Sequence, residues 1–303
     1  MPKSGADIPE LIKYADAKGV KIILYFNHAA TKNFDFDKTL ETYHQWGAAG
    51  LKYGFLKGYE GQAKVNVTRE IVEKCAKHKL MVDFHDGPIP PSGDRRTYPN
   101  LITREFCHAQ SDALRSFDPT CFTTTVFVNM LAGPLDMTNG LYDLNKSCEE
   151  RPRVFEEVWS TVAGETARPL ITFTGLNVLH DHGDAYSAKA DIFDFIKNMP
   201  MQWDESRVLH GEIGKFITMA RHSGDQWFIG SCTNEEARTL PIKLDFLPEG
   251  KTYIATLYED TPETHYKTNR EAYRVRTVRV TSADTIDAVM APGGGHCIRL
   301  RPE

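Results

Sequence analysis

Two carboxylates, Asp86 and Glu105, bracket the stretch of this chain best equipped for chemistry. Paired carboxyl groups perform general acid–base work, and where they flank an acetal bond they hydrolyse glycosides. Asp86 follows the apolar run Leu80–Phe84, with only His85 between them. Polar groups at the C-terminal end of a buried strand are how an α/β barrel presents an active site. His85 can bond a sugar hydroxyl, orient Asp86, or pack as a satisfied histidine. Asp86 itself can catalyse or cap a turn. Arg95, Arg96, Tyr98 and Asn100 follow in a loop stiffened by Pro88, Pro90, Pro91 and Pro99. An arginine there can hold Asp86 or Glu105 ionised, or form a purely structural ion pair.

Further groups are weaker. Asp136, within Gly133–Gly140, can bind sugar hydroxyls or brace the fold, and bracing is the preferred reading. His180, Asp181, His182 and Asp184 carry metal-ligating side chains without helical spacing, so a solvated loop accounts for them more simply. Trp203 serves as an anchor between domains or as a sugar platform.

The elements that must position these residues follow from hydrophobic pattern. Ile8–Lys18, Phe36–Trp46 and Thr68–His78 read as helices, and Val20–Asn27, Gly50–Leu56 and Leu80–Phe84 as buried strands. Strand and helix alternate at roughly 30 residues per unit, as in βαβ units. Continuous apolar strands imply a parallel sheet covered on both faces. Ile102–Leu114 reads as a helix, which puts Glu105 in its first turn, where the helix dipole favours a carboxylate. Phe122–Val128 is a β-branched run, and Leu170–Phe173 is too short for periodicity to decide. Val154–Ala167, Ala190–Lys197 and Glu212–Arg221 read as helices. From Gln226 onward, short alternating runs separated by turn residues mark an antiparallel β domain. The expected fold is α/β: a (β/α)8 TIM-type barrel over residues 1–205, then an all-β antiparallel sandwich over 206–303. A full barrel needs about 250 residues, so this one is expected to lack its first units.

Composition narrows the function. The 303 residues carry a net charge of −5 with 25% charged residues, and no basic block suggests nucleic acid. No apolar run approaches the ~18 residues of a membrane helix. The start, Met1–Asp7, has no apolar segment, so no signal peptide is expected. Six cysteines without a CxxC pair speak for buried thiols rather than zinc.

The segment from His85-Asp86 through Arg96-Thr97-Tyr98-Pro99-Asn100 to Arg104-Glu105 resembles the signature of glycoside hydrolase family 97. Gly133–Thr138, Trp203–Glu205, Gly211–Gly214, Trp227–Gly230, Tyr258–Asp260 and Gly293–Gly295 extend the resemblance. It implies an α-glucosidase or α-galactosidase with a calcium ion, usually exported, and an upstream β-sandwich absent from this chain. Retaining members place an aspartate nucleophile on the strand matching Leu51–Leu56, and the matching position is Gly54. Inverting members have glycine there, and take base carboxylates from strand ends matching Asp86 and a position near Asn27. The family's acid matches Ser111, with Asp112 beside it.

The resemblance therefore implies hydrolysis of terminal α-linked glucose or galactose, by inversion rather than retention. Asp86, Glu105 and Asp112 are the expected catalytic carboxyls. His85, Arg96, Tyr98, Asn100 and Asp136 are expected to bind an oligosaccharide or glycoside, and Asp86 and Glu105 to ligate calcium. The alternative is a degenerate or truncated homologue that binds carbohydrate without turnover.

Overall fold

A computed structural model describes residues 5–87, 89, 93–113, 116–145 and 158–303, with the side chains of 112 and 113 outside the description. The chain divides into two compact units. One comprises residues 1–107 with 132–136 and 174–176; the other holds the remainder. The expected boundary at 205 is therefore not where the compact units part, because several helices group with the β domain.

The first unit is built on a four-stranded parallel sheet in the order β1-β2-β3-β4, comprising Ile23–Asn27, Gly50–Gly54, Met81–Phe84 and Leu101–Arg104. Helices α1 (Ile8–Asp16), α2 (Phe36–Trp46) and α3 (Gly61–Lys77) connect or precede the first three strands. Local chemistry sets their ends. The Asp7 and Asp35 side chains accept from the Glu10 and Lys38 amides, capping α1 and α2. Gly47 stops α2 at φ 83°, a left-handed value that suits glycine.

The strands are not apolar on both faces. Phe26, Leu51, Tyr53, Val82 and Phe84 share one core with Ile12, Leu40, Ile71, Val72 and Cys75 of the helices. The alternate residues, Tyr25, Lys52 and Asp83, project from the other face. They lie in register across three strands, Tyr25 beside Lys52 and Lys52 beside Asp83.

Residues 101–104 form a strand rather than the expected helix. They pair in parallel with β3, and Asn100 donates to the Val72 and Leu80 carbonyls to start that strand. Tertiary pairing overrides the local pattern here.

The second unit is dominated by antiparallel sheet. Strands β5 to β12 are Glu205–Glu212, Phe216–Ser223, Gln226–Thr233, Arg238–Lys243, Tyr253–Asp260, Tyr273–Val280, Thr285–Met290 and Gly295–Pro302. Six form one sheet in the order β10-β9-β12-β7-β6-β5, and β11 pairs with β8. The two sheets share a core that includes Trp227, Ile229, Ile242, Leu257, Ile286, Ala288 and Ile298. The expected helix at 212–221 is instead the β5–β6 hairpin, turned by Gly214 at φ 73°. Conversely, the β-branched run 122–128 lies in a helix, Pro119–Val128. Asp118 caps its first turn by accepting from the Cys121 amide, and Pro119 sits at the start, where proline is tolerated. Val162–Ile171 and Ala190–Lys197 are helical. Residues 154–157 of the other expected helix lie outside the described residues.

Candidate active site

Adjacent strand ends bring together His85, Asp86 and Glu105. Glu105 follows β4 directly, so it is a strand-end carboxylate like Asp86 rather than a helix-cap residue. Its amide donates to the Phe84 carbonyl, and the His85 amide donates to the Tyr53 carbonyl, extending the parallel ladder into the site. His85 Nδ1 lies 2.9 Å from Asp86 Oδ1 and 3.5 Å from Glu105 Oε2. One ligand atom from each of the three residues falls within 4.8 Å of the others. It is the only such metal-competent group among the described residues.

Asp86 holds a strained backbone, φ 65°, rare outside glycine and tolerated best by Asn and Asp. Glu105 stabilises it: Oε2 accepts the Asp86 amide at 2.9 Å. Phe55, at φ 56° beyond β2, donates its amide to Asp86 Oδ2 at 3.1 Å. Gly87 is required by space and conformation alike, since φ is +44° and a Cβ there would stand 2.3 Å from the Glu105 carbonyl oxygen. Strained backbone held in place by its surroundings is a recurrent mark of functional sites.

Beneath these residues sits a cluster that sequence reasoning missed. Lys52 Nζ lies 2.6 Å from Asp136 Oδ2, 2.7 Å from Glu105 Oε1 and 3.1 Å from Asp83 Oδ2. The three carboxylate side chains are at most 3% exposed. Burial pushes the Asp83 carboxyl well above the ordinary carboxylate range; the Asp136 charge adds to this and Lys52 opposes it. Glu105 is also raised, by burial first and by Asp136, against the pull of Lys52. Lys52 is raised too, because the three carboxylates outweigh the burial that would lower it. One ammonium among three carboxyls leaves excess negative charge, which together with burial favours the neutral form of Asp83. The signal in the sequence was a lysine and an aspartate at mid-strand, each flanked by buried apolar residues.

The other expected site residues disperse. Asp136 braces the cluster and donates its amide to the Arg104 carbonyl. Tyr98 and Asn100 lie ahead of β4, at the opposite end of that strand from Glu105. Tyr98 Oη donates to Glu73, and Asn100 is spent on backbone carbonyls. Arg96 is exposed in the turn Asp94–Arg96, whose Asp94 is anchored to Arg69 at 3.0 Å. The partner of Glu105 is thus Lys52, not a loop arginine.

In the second unit, Ser111 is buried and its hydroxyl lies 2.7 Å from Thr138 Oγ1. Asp112 belongs to the short helix Gln110–Ala113, with its side chain outside the description. Asp181 is engaged by backbone: Oδ2 accepts the Tyr142 and Asp143 amides and Oδ1 the His182 amide. Trp203 packs edge-on against Phe228, with the Arg221 guanidinium 5.8 Å from its ring centre.

Strand-end carboxylates on a parallel sheet, followed by an antiparallel β domain, are the parts of a glycoside hydrolase. The chain belongs to glycoside hydrolase family 97: residues 1–107 match the family description "Glycoside hydrolase 97", and residues 202–301 match "Glycosyl-hydrolase 97 C-terminal, oligomerisation". It is 30% identical over 301 residues to a retaining alpha-galactosidase of Bacteroides thetaiotaomicron, covering 97% of this chain and 44% of that protein. A probable retaining alpha-galactosidase of Streptomyces bingchenggensis is 30% identical over 257 residues, covering 84% of this chain and 38% of the relative. A family 97 enzyme of Pseudoalteromonas sp. strain K8, solved with panose and with acarbose, superposes with a TM-score of 0.89 at 29% identity. That match covers 100% of this chain and 50% of the other. The chain therefore spans about half the length of the relatives it matches. Both curated relatives bear the names of retaining enzymes, so they lend no support to the inverting outcome expected from Gly54.

Proposed function

We propose that this chain carries part of the sugar site of a glycosidase acting on terminal α-linked galactose or glucose. The observation behind the reading is the meeting of His85, Asp86 and Glu105 at neighbouring strand ends. The names of the curated relatives favour α-galactosides, and the panose and acarbose complexes of the Pseudoalteromonas enzyme favour α-glucosides. The four parallel strands are read as part of a (β/α)8 barrel. Asp86, 40% exposed, is assigned the carboxylate role toward the sugar or its attacking water. Glu105, tied through Oε1 to Lys52, orients Asp86 and His85. Asp112 is assigned the acid role.

Calcium belongs to the same reading. Asp86 and Glu105 suit it in kind, being carboxylates. They offer at most four oxygens of the six to eight calcium takes, and one Glu105 oxygen already faces the Lys52 ammonium. They would hold one side of the ion, with the remaining ligands coming from elsewhere.

Binding without turnover is the second reading. It is favoured by Gly54, which brings no carboxylate to the end of β2, and by Ser111, whose hydroxyl is engaged with Thr138. Hydrolysis of aryl α-galactosides and α-glucosides, with and without calcium, decides between them. Turnover supports the glycosidase, and the anomer released, read by NMR, assigns the stereochemistry. Sugar binding without turnover supports the second reading, and absence of both refutes each.

A further inference from the structure

Gly54 is a strand glycine with no conformational need to be one. It ends β2 in ordinary strand geometry, paired with Asn27 of β1. A side chain there would have to push aside the tip of a neighbouring one. A Cβ built there would stand 2.0 Å from Tyr25 Oη and 2.7 Å from Tyr25 Cζ, and the three nearest atoms all belong to Tyr25. The hydroxyl of a residue two positions back on β1 therefore occupies the place from which β2 would otherwise present its own group.

The surroundings give that hydroxyl a function. The Tyr25 ring meets the His85 ring edge-on, 5.8 Å between centres with an interplanar angle of 85°, so it adjoins the His85, Asp86 and Glu105 group. Asn27 Oδ1 accepts the Ala29 amide at 2.9 Å, and His28 Nδ1 lies 2.6 Å from Tyr53 Oη. Tyr25 is 46% exposed, unlike Lys52 and Asp83 on the same face. A phenol offers one donor and one acceptor on an apolar ring, which suits a sugar with alternating hydroxyl edges and C–H faces.

We propose that Tyr25 is a substrate-binding residue, its hydroxyl contacting the terminal sugar from the position that Gly54 leaves open. This deepens the functional reading above and rests on it. The hydroxyl and the missing side chain act as one device, so they must be coupled.

The test is titration calorimetry of the full chain with methyl α-galactoside and methyl α-glucoside, with thermal melts as a folding control. Tyr25→Phe keeps the ring and removes the hydroxyl, and is expected to weaken binding of the preferred sugar about 3–10-fold, the usual worth of one hydrogen bond. Gly54→Ala displaces the hydroxyl and should weaken binding by a similar factor. On a Tyr25→Ala background, Gly54→Ala should have no further effect, because its obstructing atoms are gone. Wild-type affinity in Tyr25→Phe, or an equal loss from Gly54→Ala on both backgrounds, overturns the proposal while sugar binding stands. If the wild-type chain binds neither glycoside, the reading beneath it has failed, which is a separate result.

Discussion

Replacing Lys52 by methionine leaves Asp83, Glu105 and Asp136 facing one another with no cation. The ammonium lost is within 3.1 Å of all three, and the carboxylate side chains are 0–3% exposed. Removing one partner from a buried ionic group costs about 3–5 kcal/mol, against about 0–1 kcal/mol for an exposed pair. The loss should depend on pH. Without Lys52, the Asp83 and Glu105 carboxyls, already raised, rise further above their unfolded values, so the folded state holds protons that the unfolded chain releases. Stability of the variant then falls as pH rises, by up to about 1.4 kcal/mol per pH unit for each such proton. Urea unfolding followed by circular dichroism should show a larger deficit at pH 8 than at pH 5. Adding Asp136→Asn to Lys52→Met should recover part of it, since the charge that raises Asp83 and Glu105 is removed. A deficit below about 1 kcal/mol at both pH values would refute the account and reduce the cluster to surface-like pairing.

Burial raises Asp260 to about 7. Between about pH 4 and pH 7 the folded state keeps a proton the unfolded state has lost, so stability falls across that window and levels above it. Asp260→Asn should flatten the slope, and parallel urea midpoints for variant and wild type at pH 5 and 7.5 would contradict this. Gly87→Ala meets backbone at 2.3 Å in a left-handed conformation and should cost about 1–3 kcal/mol by thermal melting. Cys75 and Cys232 are buried and their thiols are pushed up to about 12 by that burial. Mass spectrometry after alkylation of the native protein at pH 8 should find both unlabelled, whereas Cys107 and Cys121, less buried, should be labelled before them.

The first three strands, their helices and the C-terminal strands were legible because their apolar periodicity is sustained and capped by recognisable residues. The errors share one cause. Residues 101–104 and 212–221 are short segments whose local pattern is overruled by pairing: β3 recruits the first, and Gly214 folds the second into a hairpin. Misreading 101–104 moved Glu105 from a strand end to a helix start and hid the strand that separates it from Tyr98 and Asn100. His85 and Asp86 were legible because they follow an unmistakable strand. Lys52 and Asp83 were not, since a charged residue inside an apolar run declares its partners only when strand register is known.

Glu105 performs two tasks, one through its side chain and one through its backbone. Its carboxylate pairs with Lys52 and receives the Asp86 amide, while its own backbone carbonyl stands against Gly87 and dictates how the chain leaves β3. Charge and shape are thus inherited from one position. Glu105→Gln keeps the side-chain outline and removes the charge, whereas Glu105→Ala removes the side chain as well, and both keep the backbone carbonyl that stands against Gly87. Side-by-side comparison of the two separates an electrostatic contribution to any activity from a steric one, so the pair of variants is informative where either alone is ambiguous.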